Sequence, residues 1–150
     1  SQPHIARWLL SAGNAVDLKR VPAVSSDAWA TFARIFYALD STGLLARLHW
    51  PVYDNFHFDG IKLNEEAAMV SWAAKNGVDK EKFMSAYNSP EIQAKLAMAR
   101  EMTRNYEIKG VPSIVIDGKF VTSARMAGGT RELMQLVDRL VELARKERAK

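Results

Sequence analysis

The sequence predicts an α/β protein in which a block of helices interrupts a smaller, strand-containing domain. Three observations indicate this class. Apolar residues recur at helical spacing from about residue 25 to residue 108. Residues 112–121 contain two short apolar runs on either side of an Asp-Gly pair, the pattern of a β-hairpin. Residues 16–21 alternate between apolar and polar side chains, as a half-buried strand does.

Composition excludes several classes of protein. Hydrophobic residues make up 48% of the 150 residues and charged residues 25%, which are globular averages and allow a real core. No apolar run approaches the roughly 18 residues that a membrane span requires, so we expect no membrane-embedded segment. The net charge of +4 is dispersed along helix faces and the C-terminal end, which favours a solvated surface over a nucleic-acid partner.

The chain opens with two short predicted elements. Residues 1–11 form a helix, because Ile5, Trp8 and Leu9 share one face, and Gly13 ends it. Residues 16–21 form a strand that ends at Pro22, since proline cannot donate to a strand ladder.

The helical block contains five predicted helices. Ser26 or Asp27 is the expected N-cap of the first helix, and the second helix, from residue 44, has no expected cap. The N-caps of the next three helices are Asn64, Asp79 and Ser89, in that order. The helices then run through Leu39, His57, Lys75, Tyr87 and about Tyr106. The expected buried faces are Trp29, Phe32, Phe36 and Leu39; Leu45, Leu48, Val52 and Phe56; and Ile92, Leu96, Ala99 and Met102.

The chain closes with the hairpin and one more helix. Pro112 lacks an N–H and biases Val111 toward an extended backbone, so it separates the hairpin from the preceding helix. Thr130 is the expected cap of the last helix, which buries one face: Leu133, Leu136, Val137, Leu140 and Ala144.

Candidate chemical sites are few. Among the three histidines, His49 and His57 are eight residues apart, too far for neighbouring zinc ligands on one helix, so no metal site is expected. Gly128-Gly129 ahead of a helix could bind an anion, but such a pair is more often a turn. Glu65 and Glu66 place negative charge at a helix N-terminus, where the helix dipole favours it, so they need not be catalytic. The aromatic residues of the first helix in the helical block have the spacing of a buried core face, which fits better than a surface for stacking nucleic-acid bases.

The order of several short motifs resembles the DsbA family. Gly110-Val111-Pro112, an apolar run and Asp117-Gly118-Lys119-Phe120 resemble the family's cis-proline loop and terminal hairpin. Further similar stretches are Arg20-Val21-Pro22-Ala23-Val24, Phe36-Tyr37-Ala38-Leu39, Asn76-Gly77-Val78-Asp79, Ala86-Tyr87-Asn88-Ser89 and Met126-Ala127-Gly128-Gly129. The resemblance covers nearly the whole chain.

The resemblance implies a thioredoxin-like fold formed by residues 1–24 and 109–150, with an inserted helical domain at residues 25–108. It implies a periplasmic thiol–disulfide oxidoreductase that needs no cofactor. Its partners would be unfolded or reduced secreted proteins and a membrane quinone-linked reoxidising protein. Gly110, Val111 and Pro112 would bind substrate, with the Val111-Pro112 bond cis, although trans is the ordinary isomer for residues taken alone.

The chain departs from the family in one respect. Family members carry Cys-Pro-His-Cys a few residues before the position of Gln2, whereas this sequence has no cysteine. Thiol–disulfide exchange requires attack of a thiolate on a disulfide, so no catalytic residue is expected here. We therefore expect the chain to be a fragment that lacks the family's N-terminal strands. The alternatives are a cysteine-free peptide-binding module of the same fold and an unrelated helical protein whose basic end contacts nucleic acid.

Overall fold

The computed structural model describes residues 2–150, with side chains from Pro3 onward. Contacts divide the chain into two compact units: the helical unit, Val21–Asn105, and the hairpin unit, which combines the residues up to Arg20 with Tyr106–Lys150. These boundaries lie a few residues from those expected. The elements in chain order are α1 Gln2–Ala12, a 3-10 turn Gly13–Ala15, α2 Asp27–Ser41, α3 Leu45–His57, α4 Glu66–Lys75, α5 Lys80–Tyr87, α6 Pro90–Asn105, β1 Ser113–Ile116, β2 Phe120–Ser123, α7 Ala124–Ala127 and α8 Thr130–Arg148.

In the helical unit, α2 lies at the centre and packs against α3, α5 and α6. The main core gathers apolar side chains from α2 to α6, and its largest fully buried members include Phe83, Ile35 and Leu39. On α3, Leu48 is buried, while Leu45, Val52 and Phe56 pack against the core, as the sequence predicted.

The predicted buried face of α2 is partly wrong. Trp29 is 45% exposed, whereas Ala30 and Ala33 are buried against Leu96 and Ala99 of α6. Alanine lets two helix backbones approach closely, so the contact between α2 and α6 selects small residues where hydrophobic size alone would select tryptophan.

Two predicted caps are confirmed by hydrogen bonds. The Asp79 carboxylate accepts from the backbone N–H of Lys82 at 3.0 Å, and the Ser89 hydroxyl accepts from the N–H of Ile92 at 3.3 Å. Two others are wrong. Glu65, not Asn64, is the N-cap residue of α4, and Gly129 precedes α8, whose first helical residue is Thr130.

The hairpin unit is built on the antiparallel pair β1 and β2. Ile116 lies opposite Phe120, and Asp117 and Gly118 both have positive φ angles, 55° and 67°, so the predicted Asp-Gly turn is confirmed. One face of the hairpin packs on α8 in a core centred on four buried residues, Ile116, Leu133, Val137 and Ala144.

The strand expected at residues 16–21 is wrong. Within residues 2–150, the sheet contains only β1 and β2, and residues 16–24 run as irregular chain after the 3-10 turn. A strand is stable only when its N–H and C=O groups pair with a neighbour, and no described strand lies beside this segment. Apolar and polar residues do alternate here, but alternation alone does not supply the neighbouring strand that a β-strand needs for its hydrogen bonds.

Candidate functional site

The segment that joins α6 to β1 contains the three predicted substrate-binding residues. Gly110, Val111 and Pro112 are all exposed, and Val111 has 57% of its residue surface accessible. The segment therefore presents a short stretch of backbone and one apolar side chain at the surface.

One backbone group of this segment is hydrogen-bonded within the part of the chain that the structure describes, whereas the backbone groups of Val111 are not. The Ser113 hydroxyl donates to the Gly110 carbonyl at 2.7 Å, which closes a turn over the two residues between them. The Val111 backbone N–H and C=O have no hydrogen-bond partner within residues 3–150. The Val111-Pro112 peptide bond is cis, the isomer that the resemblance implies.

Contacts of the hairpin turn with α8 and with Tyr106 support this segment. Ion pairs link the turn to the end of α8: Asp117 with Arg148, and Lys119 with Glu147 at 3.0 Å. Tyr106, where the segment begins, places its hydroxyl 3.5 Å from the position that a Cβ on Gly118 would occupy. The segment is therefore supported at both ends by the same hairpin.

These ion pairs shift the ionisation of their members. The hydrogen bond from Arg148, and then its charge, hold the pKa of the Asp117 carboxyl below its usual range. The hydrogen bond to Glu147, and then its charge, raise the pKa of the Lys119 ammonium. Both groups are therefore charged over the whole neutral range, and the support of the hairpin turn does not depend on pH there.

The chemistry available at this segment is main-chain recognition. Gly110, Val111 and Pro112 carry no titratable group, so they cannot act as an acid, a base or a nucleophile. The 150 residues contain no cysteine, so this polypeptide by itself cannot form a mixed disulfide. Across the described side chains, no group of three or more His, Asp or Glu residues converges as a metal site would require.

The other candidates do not come together as sites. At Gly128-Gly129, the Glu132 carboxylate contacts the position where a Cβ on Gly129 would lie, so a negative charge already covers the start of α8. His49 and His57 make separate ring contacts along α3, to Phe36 and Tyr53 among others. None of the helices in residues 2–150 has the length and hydropathy needed to cross a bilayer.

Fold and site together define a class. An antiparallel hairpin preceded by a cis-proline segment, packed on a long C-terminal helix and interrupted by a helical unit, is a thioredoxin-like domain with a helical insertion. The DSBA-like thioredoxin domain family matches residues 7–141. The chain belongs to the DsbA family of thiol:disulfide interchange proteins.

Relatives and solved structures agree on this assignment. The chain is 34% identical over 148 residues to the thiol:disulfide interchange protein DsbA of Pseudomonas aeruginosa, covering 99% of this chain and 69% of that protein. It is 31% identical over 144 residues to DsbA of Azotobacter vinelandii, covering 96% and 67%. The crystal structure of Pseudomonas aeruginosa DsbA superposes with a TM-score of 0.90 at 33% identity, over 99% of this chain and 78% of that one. Neisseria meningitidis DsbA3 gives 0.80 at 26% identity, over 96% and 79%.

Proposed function

We propose that Gly110, Val111 and Pro112 form the substrate-binding segment of a periplasmic thiol:disulfide interchange protein that introduces disulfides into secreted proteins. The observation that carries this proposal is the exposed Val111 backbone, which has no hydrogen-bond partner among residues 3–150. Backbone groups that are held in place but unpaired are the requirement for strand addition by an extended peptide.

Main-chain pairing suits the substrates of this family. A peptide that hydrogen-bonds through its backbone contributes affinity whatever its side chains, so one segment can accept many unfolded proteins. The half-exposed Val111 side chain adds a small apolar contact beside the pairing groups. The proposed partners are accordingly reduced or unfolded secreted proteins, together with a membrane quinone-linked protein that restores the oxidised state.

The exchange step requires sulfur that residues 1–150 do not contain. One cysteine thiolate must attack a disulfide and a second must release the mixed intermediate. We propose that both cysteines lie on polypeptide outside these residues, close enough to face the Gly110–Pro112 segment. The similar proteins of Pseudomonas aeruginosa and Azotobacter vinelandii are named as interchange proteins, which favours this arrangement over a cysteine-free binding module.

Hydrogen exchange at the Val111 amide tests the binding proposal. A soluble, cysteine-free peptide from a reduced substrate should slow exchange of this amide by about fivefold or more when bound at saturation, which corresponds to one hydrogen bond of ~1 kcal/mol. The matched control is the same peptide N-methylated at alternate residues, which removes backbone donors and should bind more weakly. Equal binding of both peptides, with unchanged exchange at Val111, would refute strand addition.

The redox proposal is tested separately. The complete product of the gene should accelerate oxidative refolding of a reduced protein, and alkylation of its thiols should abolish the effect. Residues 1–150 should not gain mass when incubated with a small disulfide, because they contain no thiol. Cell fractionation should place the gene product in the periplasm, and a cytoplasmic location would contradict the proposal.

A further inference from the structure

The exposed side of α3 carries an unusual concentration of aromatic surface. Trp50, Tyr53 and Phe58 are 51%, 49% and 77% exposed, and His57 and Asp54 are exposed beside them. We call these five residues the α3 surface. Soluble proteins rarely leave several large aromatic side chains exposed together unless another molecule covers them.

The helix itself explains why these side chains form one surface. Trp50, Tyr53 and His57 follow each other at spacings of three and four residues, so they share one side of α3. Their rings are in contact, with centroids 6.2 Å apart for the first pair and 4.3 Å for the second. Asp54 lies four residues after Trp50 and four before Phe58, so it occupies the same side of the helix as these aromatic residues.

The Asp54 carboxylate is unpaired. Its side chain makes no hydrogen bond or ion pair with any described residue, while its backbone carbonyl accepts from the N–H groups of Phe58 and Asp59. The nearby acid Asp59 differs, because its carboxylate accepts from the Asn55 amide at 2.5 Å. Asp54 is therefore a free negative charge between exposed rings.

The arginines of α2 and α3 bond to carbonyl and amide oxygens, and neither pairs with Asp54. Arg34 of α2 donates to the Tyr87 carbonyl and the Asn88 side chain, both at 3.1 Å. Arg47 of α3 donates to the Asn76 carbonyl at 2.9 Å. The Asp54 carboxylate thus has no cationic partner among the described side chains, which favours a binding partner that brings its own positive charge.

We propose that the α3 surface is a docking site for a segment of another polypeptide that presents an arginine next to apolar side chains. A guanidinium group is planar, stacks on aromatic rings and forms paired hydrogen bonds with a carboxylate. Trp50 and Tyr53 offer the rings and Asp54 the carboxylate within one helical turn. The proposal stands apart from the proposed function, since it needs neither a thiol nor the Gly110–Pro112 segment.

Two other occupants fit the chemistry less well. A second copy docked through the same surface would bring two unpaired Asp54 carboxylates together without a cation. An anionic bilayer would place lipid phosphates against the same acid, although the aromatic rings alone would suit a membrane interface. An arginine-containing polypeptide satisfies both the rings and the charge.

Peptide titration of the protein, followed by backbone amide NMR, tests the proposal. The probe is a short soluble peptide with one arginine between two leucines, and its control has glutamine in place of arginine. The arginine peptide should shift the amide signals of residues 50–58 and bind about threefold to tenfold more tightly than the control, the range expected from a cation–π contact and an exposed ion pair together.

Variants of the protein complete the test. Asp54→Asn and Trp50→Ala should each weaken binding of the arginine peptide about twofold to fivefold. The matched controls are Asp17→Asn and Leu10→Ala, which alter an exposed carboxylate with 82% of its side chain accessible and an apolar residue with 87% exposure. These controls should bind as the parent chain does. Circular dichroism should show unchanged folding in all four variants, because every substituted side chain is exposed.

Several outcomes would overturn the proposal. These are equal affinity for both peptides, equal binding by the Asp54→Asn variant, concentration-dependent shifts of residues 50–58 without peptide, and binding of anionic vesicles through the same residues. Shifts confined to Gly110, Val111 and Ser113 would also overturn it, because they would assign arginine binding to the other segment. Loss of peptide binding at Val111 would leave the α3 surface unaffected, so the two proposals fail independently.

Discussion

Two buried threonines should respond in opposite directions to the same substitution. Thr122 of β2 is 2% exposed, and its hydroxyl has no hydrogen-bond partner within residues 3–150. Thr103 of α6 is also buried, but its hydroxyl donates to the Ala99 carbonyl at 2.7 Å and accepts from the Val24 N–H at 3.0 Å. Thr→Val keeps the shape of the side chain and removes only the hydroxyl.

The expected change in the free energy of unfolding depends on whether removing the hydroxyl leaves another buried group without a hydrogen-bond partner. An unpaired buried hydroxyl costs about 1–3 kcal/mol, so Thr122→Val should raise the free energy of unfolding by ~1–2 kcal/mol, and valine suits a strand. Thr103→Val should lower it by about 1–3 kcal/mol, because the Val24 N–H would be left buried without an acceptor. For a chain of this size, each kcal/mol corresponds to a shift in melting temperature of about 2–4 °C.

Urea unfolding followed by far-UV circular dichroism measures both effects, with a constant m-value showing that only stability has changed. The double variant should equal the sum of the two single variants within about 0.5 kcal/mol, because the two sites share no partner. A destabilising Thr122→Val, with the m-value unchanged, would refute the assignment of an unsatisfied hydroxyl in β2.

Three further predictions concern the core, the hairpin turn and the site. Phe83→Ala should lower the free energy of unfolding by ~3–5 kcal/mol in the same urea assay, because Phe83 is 0% exposed, and a loss below 1 kcal/mol would contradict its place in the core. The lowered pKa of Asp117 means that its ion pair stabilises the fold above the usual carboxyl pKa of 3.8 and that this stabilisation is lost as the pH falls through the folded-state pKa. Arg148→Gln should therefore reduce the melting temperature at neutral pH and match the parent chain in strong acid; an equal reduction at every pH would refute the coupling. Ser113→Ala should weaken binding of the strand-adding peptide about twofold to fivefold, because the hydroxyl no longer holds the Gly110 carbonyl; unchanged binding would show that the turn is held by other contacts.

The sequence predicted the elements whose signals are local. The Asp117-Gly118 turn depends on two adjacent residues that accept positive φ, and the Asp79 and Ser89 caps depend on a side chain three residues from an N–H. The position of the exposed segment at Val111 followed equally from one proline. These features are decided within a few residues, so a linear pattern is sufficient to find them.

The errors came from contacts between distant parts of the chain. Trp29 is exposed because α6 brings Ala99 against Ala30 and Ala33, a close approach that no periodicity within α2 reveals. The strand at residues 16–21 fails because its pattern required a partner strand, and the described sheet has none beside it. The Thr122 hydroxyl was missed for a related reason, since whether a polar atom is satisfied depends on its neighbours in space.

The α3 surface was missed for a different reason. Periodicity separated the buried side of α3, with Leu48 and Phe56, from the side that carries Trp50 and Tyr53, but apolar spacing assigns a role only to the buried side. The signal was present in the sequence, because aromatic residues at positions 50, 53 and 58 fall outside the core stripe. Aromatic residues on the polar side of an amphipathic helix are the feature to seek.

The hydrogen bond between Val24 and Thr103 has a consequence for engineering. Val24 lies shortly after the start of the helical unit and Thr103 shortly before its end. The hydrogen bond therefore connects two residues that are 79 positions apart in the sequence. The entry and exit points of Val21–Asn105 are therefore neighbours, which is the geometry that permits excision, grafting or circular permutation. A circularly permuted helical unit, with its original ends joined by a short glycine linker and new ends opened in the loop at Gly60, could be transplanted as one cassette into other hosts.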